Sequence, residues 1–403
     1  MKPDFFELNR DKLRNKLKSG VLVLSGYHSM QLSADMAAPF EQEANFWYLT
    51  GISEPDWWVI MDMTTDSTWL VAPELSQSHL VFDGSLAPES ASAISGIKKV
   101  ISRREADEVL RRLAKTHSLA YTIGKMPHSD LLGFQLNSAG QDTYKMLDRI
   151  FGSVQDCRKE LAALRAIKHV DEINLIKKAI NLTNEVFESV KQSIDTYKYE
   201  YEIEAEFSYQ FRRAGASGHA YAPIVAGGGN ACTLHYGANS DKLRRPSMVL
   251  IDIGARLNGY PADITRTYSI GSPTKRQLAV HEAVQSATAE ITSLLKPGLG
   301  LQDYSLMADQ IMQRHLIELG LMKGESDTDA YRKYFPHAIS HGLGVDVHDS
   351  LGGHKYFEPG MVLTVEPGIY IPEENLGVRI ENNILITDKG HENLSRSLST
   401  SDS

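Results

Sequence analysis

Apolar residues recur along this chain with two different periods, and the switches between them outline its elements. Over the first 150 residues, short β-rich runs (Val21-Leu22-Val23-Leu24, Trp58-Val59-Ile60-Met61, Thr68-Trp69-Leu70-Val71) alternate with helical stretches such as Arg103 to Lys115. That alternation predicts an α/β domain. From about Val170 the pattern is a long amphipathic helix, with Ile173, Ile176, Ile180, Phe187 and Val190 at steps of three, four and seven. A second helix carries Ile203, Phe207 and Phe211 at steps of four and stops at Gly215, where a residue without Cβ can take the left-handed C-cap. A third opens at Pro273-Thr274, has capping-box spacing from Thr274 to Gln277, buries Val284, Ile291 and Leu295, and closes at Lys296-Pro297-Gly298. A fourth runs from about Gln302 to Leu319, before Gly320. Strand pairs lie between and after these helices: Met248 to Ile253 with Ile264 to Ser269, then Met361 to Tyr370 with Val378 to Thr387. A helix pair followed by a hairpin therefore comes twice, which hints at an internal duplication.

The pattern changes around Phe151 to Ala162, so the expected domains are 1–158 and 159–395, with 396–403 as a loose polar tail. Phe46-Trp47-Tyr48 and Trp57-Trp58, taken at strand spacing, read as core rather than as a face for a partner subunit. Composition narrows the class: 42% hydrophobic and 23% charged residues describe an ordinary globular chain. No run approaches the roughly 18 apolar residues of a membrane span, and Met1-Lys2-Pro3-Asp4-Phe5-Phe6 lacks the apolar core of a secretory signal. The two cysteines, Cys157 and Cys232, suggest no disulfide framework, and the expected location is cytoplasmic. A net charge of −9 argues against nucleic acid as a partner. Arg103-Arg104 and Arg111-Arg112 are the wet face of a helix.

The chemistry concentrates in acids that interrupt apolar strands. Asp252 sits inside Ile251-Asp252-Ile253-Gly254, where an unpaired carboxylate is costly to bury. Asp263 follows in Tyr260-Pro261-Ala262-Asp263-Ile264-Thr265-Arg266, and the two are equidistant from the turn around Leu257-Asn258-Gly259. A hairpin closed there makes them cross-strand neighbours, with Cβ atoms about 5 Å apart. Glu366 and Glu381 flank the turn near Glu373-Glu374 in the same way. Each residue alone has an ordinary explanation, as a strand-end acid, a turn acid or half of a surface pair with Arg379. Together, four mid-strand carboxylates call for shared cations, and two divalent ions would cancel their charge. His341, in Pro336-His337-Ala338-Ile339-Ser340-His341-Gly342-Leu343-Gly344, adds a nitrogen ligand with glycines that let backbone approach closely. Oxygen-rich donors favour Mn²⁺, with Zn²⁺ or Co²⁺ as alternatives.

In order and combination the motifs resemble those of the pita-bread metallopeptidases, in the branch of aminopeptidase P and prolidase. They are Leu234-His235-Tyr236, Asp252-Ile253-Gly254, Asp263-Ile264-Thr265-Arg266, His337 to Asp349, Val365-Glu366-Pro367-Gly368-Ile369-Tyr370 and Val378-Arg379-Ile380-Glu381-Asn382. The N-terminal Phe40 to Gly51 stretch looks like the smaller domain that aminopeptidase P carries. The resemblance implies an α/β (α+β) chain, with a creatinase-like N-terminal α/β domain followed by a pita-bread domain of curved antiparallel sheet and covering helices. It implies Asp252 as a ligand of one metal, His341 and Glu366 of the other, and Asp263 and Glu381 as bridges. His235 and His348 would bind substrate and stabilise the tetrahedral intermediate, with His337 and Tyr370 in the same pocket and Arg379 paired with a ligand carboxylate, Asp252. Asn382-Asn383 stands where related enzymes often carry acids, and Ala338 where they often have glycine.

The implied reaction removes the N-terminal residue from peptides with proline second, through attack of a metal-held hydroxide with Glu366 as general base. Two ions about 3.5–4 Å apart suit that chemistry. A dipeptidase restricted to Xaa-Pro is the alternative, and a non-catalytic peptide-binding relative a remote one. The expected partners are a proline-containing peptide and further copies of the chain, as a homodimer or homotetramer, with no nucleic acid and no membrane.

Overall fold

The computed structural model describes residues 1–124 and 133–402, which form two compact units, Met1–Leu164 and Arg165–Ser403. The helix Arg158–Ala166 spans the junction. The sequence pattern placed the division in its first turn, whereas the units part near its end.

The N-terminal unit is built on a six-stranded sheet. Val21–Ser25, buried along its whole length, runs parallel to Leu119–Thr122 on one side and antiparallel to Trp58–Asp62 on the other. Thr68–Val71 and Val100–Ile101 extend the sheet beyond Trp58–Asp62, and Ser153–Asp156 beyond Leu119–Thr122. Val21, Val23, Ile60 and Val71 from the sheet pack with Leu110 of the helix Arg103–Leu113 and Leu147 of Ala139–Ile150. The aromatic run Phe46-Trp47-Tyr48 is helical, in Ala44–Thr50, which corrects the strand expectation. Glu43 caps this helix through Phe46 N, at 2.6 Å, and Gly51 at φ 70° ends it. Every residue of that helix is buried, so it has no polar face from which a helical period could be read.

In the C-terminal unit the helices expected from the pattern are Val170–Gln192, Glu200–Arg213, Lys275–Leu294 and Leu301–Glu318. Thr274 and Gln277 form the expected capping box, and Gly215 takes φ 86° after the second helix. Val284, Ile291, Tyr304 and Met312 from the last two of these helices share a core with Leu363, Val365, Ile369 and Ile384 of the strands. No helix among the described residues is long and apolar enough to cross a membrane.

Each of two hairpins changes sheets along its length. The first begins as Ser247–Asp252 beside Thr265–Ile270 and ends as Ala255–Leu257 beside Tyr260–Pro261. Its register pairs Asp252 with Thr265, not with Asp263 as the sequence spacing suggested. Asn258 and Gly259, at φ 51° and 87°, close it in two residues, so Leu257 faces Tyr260 and the ladder is centred one residue further on than the assumed turn. Asp263 thus lies across from Gly254, on the same sheet face as Asp252 and diagonal to it. The second hairpin has the expected register: Val365↔Asn382 and Gly368↔Arg379 bracket Glu366 and Glu381.

The tail is not loose. Ser395 and Leu398 are buried, and Arg266 donates to the carbonyls of Leu398 and Ser399 at 3.0 and 2.9 Å. Its polar composition concealed this because the bonds to Arg266 come from the tail's main-chain carbonyls, which leave no mark in the sequence. Ser403 lies outside the described residues.

Gly254 leaves no room for a side chain, since a Cβ there would lie 1.8 Å from the Ala262 carbonyl oxygen. Gly254→Ala must part the two strands and is expected to destabilise by about 1–3 kcal/mol. Thermal unfolding should show a Tm lowered by roughly 2–4 °C per kcal/mol, and an unchanged Tm would contradict this packing.

Candidate metal centre

Both hairpins switch sheets at the point where their acids sit, so the carboxylates project from main chain that neighbouring strands already fix. Asp252 ends its strand with one oxygen accepting from Tyr221 Oη at 2.6 Å and the other from Arg379 Nη2 at 2.5 Å. Asp263 is held by its peptide groups: its N–H donates to Asn383 Oδ1 (3.2 Å) and its carbonyl accepts from Asn383 Nδ2 (2.5 Å). An acid at 383 could not make the second bond, which gives the asparagine a physical reason. Glu381 is pinned by its N–H to the Thr265 carbonyl (3.0 Å) and by the Thr265 hydroxyl on Oε2 (2.8 Å).

Pro367 cannot donate to a ladder, and the pairing opens beside it, freeing the side chains of Glu366 and Glu381. Glu366 N–H donates to the Ile339 carbonyl, and the Thr364 hydroxyl donates to Glu366 Oε1 at 3.1 Å. That hydroxyl also accepts from His341 N–H at 3.1 Å. His341 Nδ1 bonds the Gly342 carbonyl at 2.9 Å, so it carries the proton, and Nε2 turns its lone pair toward Asp263 Oδ2 and Glu366 Oε1, each 3.4 Å away. A lone pair facing two carboxylate oxygens needs a proton or a cation among them.

The residues that the sequence singled out come together in one cavity of about 590 Å³. Asp252, Asp263 and Glu381 offer oxygens within 4.8 Å of one another, as do the donor atoms of His341, Glu366 and Glu381. A third set joins Asp263 and His341 to His348, whose exposed ring lies 4.2 Å from that of His341. His235 and His337 line the same cavity. Tyr370 stands behind it and completes a chain: Arg379 Nη1 donates to Tyr370 Oη (2.8 Å), which donates to His337 Nε2 (2.8 Å), while His337 Nδ1 donates to the Ala338 carbonyl. Burial, reinforced by the Arg379 charge, lowers His337 to about 4, in keeping with its role as acceptor.

The electrostatics have one sense. Burial pushes the Glu366 carboxyl up to about 7, with Asp263 and Asp252 adding against His341 and Arg379. Burial also raises Glu381, as do its three acidic neighbours. Burial alone would lower His341, yet its bond to Asp263 and the charges of Glu366 and Asp263 carry it up to about 9. All three shifts describe a pocket short of positive charge. The donors present therefore fit divalent cations, with carboxylate oxygens predominating in two of the three sets and His348 adding a second imidazole to the third.

Tyr221, Thr265 and Thr364 hold this arrangement without having been assigned a role from the sequence, and Asn383, noted there only as a departure from related enzymes, proves to be a clamp. Thr265 and Thr364 stand two residues from an acid, hence on its sheet face, and that alternation was a usable signal. Tyr221 reaches Asp252 from a separate segment, and no local pattern announces it.

Fold and site together define a metal-dependent peptidase architecture. Residues 174–388 match the family model for metallopeptidase family M24, and residues 6–122 match that for the aminopeptidase P N-terminal domain. The chain belongs to the M24 metallopeptidases, the pita-bread family, in their aminopeptidase P branch. It is 30% identical to the Xaa-Pro aminopeptidase of Escherichia coli, over 98% of this chain and 94% of the relative. Human Xaa-Pro aminopeptidase 3 is 32% identical, over 91% of this chain and 76% of its own. The structure of E. coli aminopeptidase P with the inhibitor Pro-Leu superposes with a TM-score of 0.87 at 28% identity, covering 100% of this chain and 97% of the other.

The Asn383 clamp yields a direct expectation. Asn383→Leu leaves a buried N–H and C=O of Asp263 without partners, at about 1–3 kcal/mol each. Thermal unfolding should register the loss, and calorimetric titration should show weaker divalent-metal binding than in the parent. Unchanged stability and affinity would rule out the clamp.

Proposed function

We propose that the chain removes the N-terminal residue from peptides with proline at the second position, using two divalent ions, with manganese the preferred one. The observation that carries the reading is the pair of overlapping donor sets that share Glu381. Asp252 with the two shared acids Asp263 and Glu381 would hold one ion, and His341 with Glu366 and the same shared acids the other. Four carboxylates balance two divalent charges, and their oxygen-rich character favours manganese. Bound there, such ions supply Lewis acidity, which acidifies water and polarises a carbonyl.

The chain's own groups do the rest. Glu366 has Oε1 tied to Thr364, so Oε2 is the oxygen free to take a proton from the attacking water. As the C–N bond breaks, that proton passes to the proline nitrogen, which would otherwise leave as an amide anion. His348 and His235, both exposed in the cavity, would donate to the peptide oxygen as it gains charge. Arg379 donates to Asp252 and, through Tyr370, keeps His337 neutral beside the substrate. A bond before proline offers no N–H, so the ring must be recognised by shape, and Ile224, Leu234 and Val347 supply apolar lining.

A dipeptidase must also receive the prolyl carboxylate. Among the described residues the only Lys or Arg lining the cavity is Arg379, already paired with Asp252 and Tyr370, which favours longer peptides. The proposal includes a cytoplasmic setting, which the free thiols Cys157 and Cys232 suit. It also includes a homodimer or homotetramer, supported by the exposed Val81 and Phe82.

Chelation should abolish turnover of an Xaa-Pro-Yaa peptide and Mn²⁺ should restore it, with Xaa-Pro alone cleaved more slowly. Turnover of the dipeptide only would replace this reading with the dipeptidase one. Glu366→Gln is expected to reduce kcat by roughly 10²–10⁴-fold, measured on the manganese-loaded protein.

A further inference from the structure

Arg266 takes no part in the reaction outlined above, yet it is 1% exposed. Its strand position faces Ile251, so its side chain leaves the sheet on the side opposite Asp252 and Thr265. A guanidinium has five N–H donors, and each finds an acceptor here. Nη1 donates to the carbonyls of Thr265 (2.8 Å) and Glu381 (2.7 Å). Nη2 donates to Asn382 Oδ1 (2.8 Å) and the Leu398 carbonyl (3.0 Å), and Nε to the Ser399 carbonyl (2.9 Å).

These acceptors belong to separate segments, and the combination has a mechanical meaning. Glu381 is fixed on its N–H side by the Thr265 carbonyl and through its carboxylate by the Thr265 hydroxyl, while its carbonyl is fixed by Arg266. Arg266 in turn is held by two main-chain carbonyls of the tail. The tail is anchored independently: Ser395 Oγ accepts from Asn383 N–H (3.0 Å), Asn184 Nδ2 donates to Ser397 Oγ (2.8 Å) and Gln285 Nε2 to Thr400 Oγ1 (3.0 Å). A buried arginine can simply collect whatever oxygens lie near. That ordinary account leaves unexplained why one fork joins the tail to the peptide of the shared acid Glu381.

We propose that Arg266 is a positioning residue and the segment 394–400 a brace, which together set the place of Glu381 and hence the affinity for the metal pair. The inference rests on the two-ion reading of the site. Without the Leu398 and Ser399 carbonyls, the charged fork keeps two N–H groups buried without partners and must turn toward water, drawing its other bonds away from Glu381 and Asn382.

The test is manganese titration by calorimetry, with electron paramagnetic resonance of the loaded protein as the spectroscopic readout. Deleting residues 398–403 should weaken manganese binding by about tenfold or more and reduce the exchange-coupled signal of the pair. Arg266→Lys, which keeps the charge and loses the planar fork, should do the same. Deleting only residues 401–403 keeps both peptide carbonyls and the Thr400 anchor and should leave affinity and spectrum as in the parent. Equal losses from the two deletions, or parental affinity in Arg266→Lys, would overturn the proposal.

Hydrogen exchange on the unaltered chain gives a check that needs no variant. Coupling is reciprocal, so manganese loading must slow amide exchange across 394–400. A chain that takes up two ions with exchange there unchanged sinks the brace alone. A chain that takes up no pair of ions sinks the functional reading and this one with it.

Discussion

Repulsion among the carboxylates of Asp252, Asp263, Glu366 and Glu381 is the constraint around which the C-terminal unit is organised. Carboxylates this close and this buried raise one another's affinity for protons, as Glu366 and Glu381 show. A fold can tolerate that if cations enter and if the main chain prevents the acids from drifting apart. The second condition is met in detail. Asp263 and Glu381 each have their peptide groups tied down, Asp263 by Asn383 and Glu381 by Thr265 and Arg266. The first condition makes divalent metal binding part of how this unit is stabilised as well as how it reacts.

Division of labour around the centre follows from the same constraint. One permanent cation, Arg379, is placed where it compensates Asp252 and donates to Tyr370. It is buried, whereas His235 and His348 are exposed in the same cavity. Hydroxyl groups fill the remaining places because they donate to a carboxylate without adding charge, as Thr265, Thr364 and Tyr221 do.

The four long helices of the C-terminal unit were legible from their buried stripes and marked ends, such as the Thr274 capping box, whereas the short Thr328–Tyr334 was not. The site was legible for a different reason: acids amid apolar residues stand out, and hairpin symmetry pairs them. The symmetry argument worked for Glu366 and Glu381, whose turn has its centre where the sequence put it. It slipped for Asp252 and Asp263, because Asn258-Gly259 forms a two-residue turn and one position of offset changes an opposed pair into a diagonal one. The helix Ala44–Thr50 was misread because complete burial erases the polar face. The docked tail was misread because main-chain carbonyls, which every residue has, make its bonds to Arg266.

Gly254 and Pro367 occupy matching places in their hairpins, each at the seam where paired strands pass from one sheet to the next. One permits an extreme approach of neighbouring backbones, the other forbids a ladder bond. The width of the gap between the acids is therefore a property of the main chain, set by how far the sheets diverge at those seams. Rotamer changes alone can do little to resize it. Discrimination between ions of different radius in this fold should accordingly respond to substitutions that alter sheet divergence, even at positions that never touch the ion.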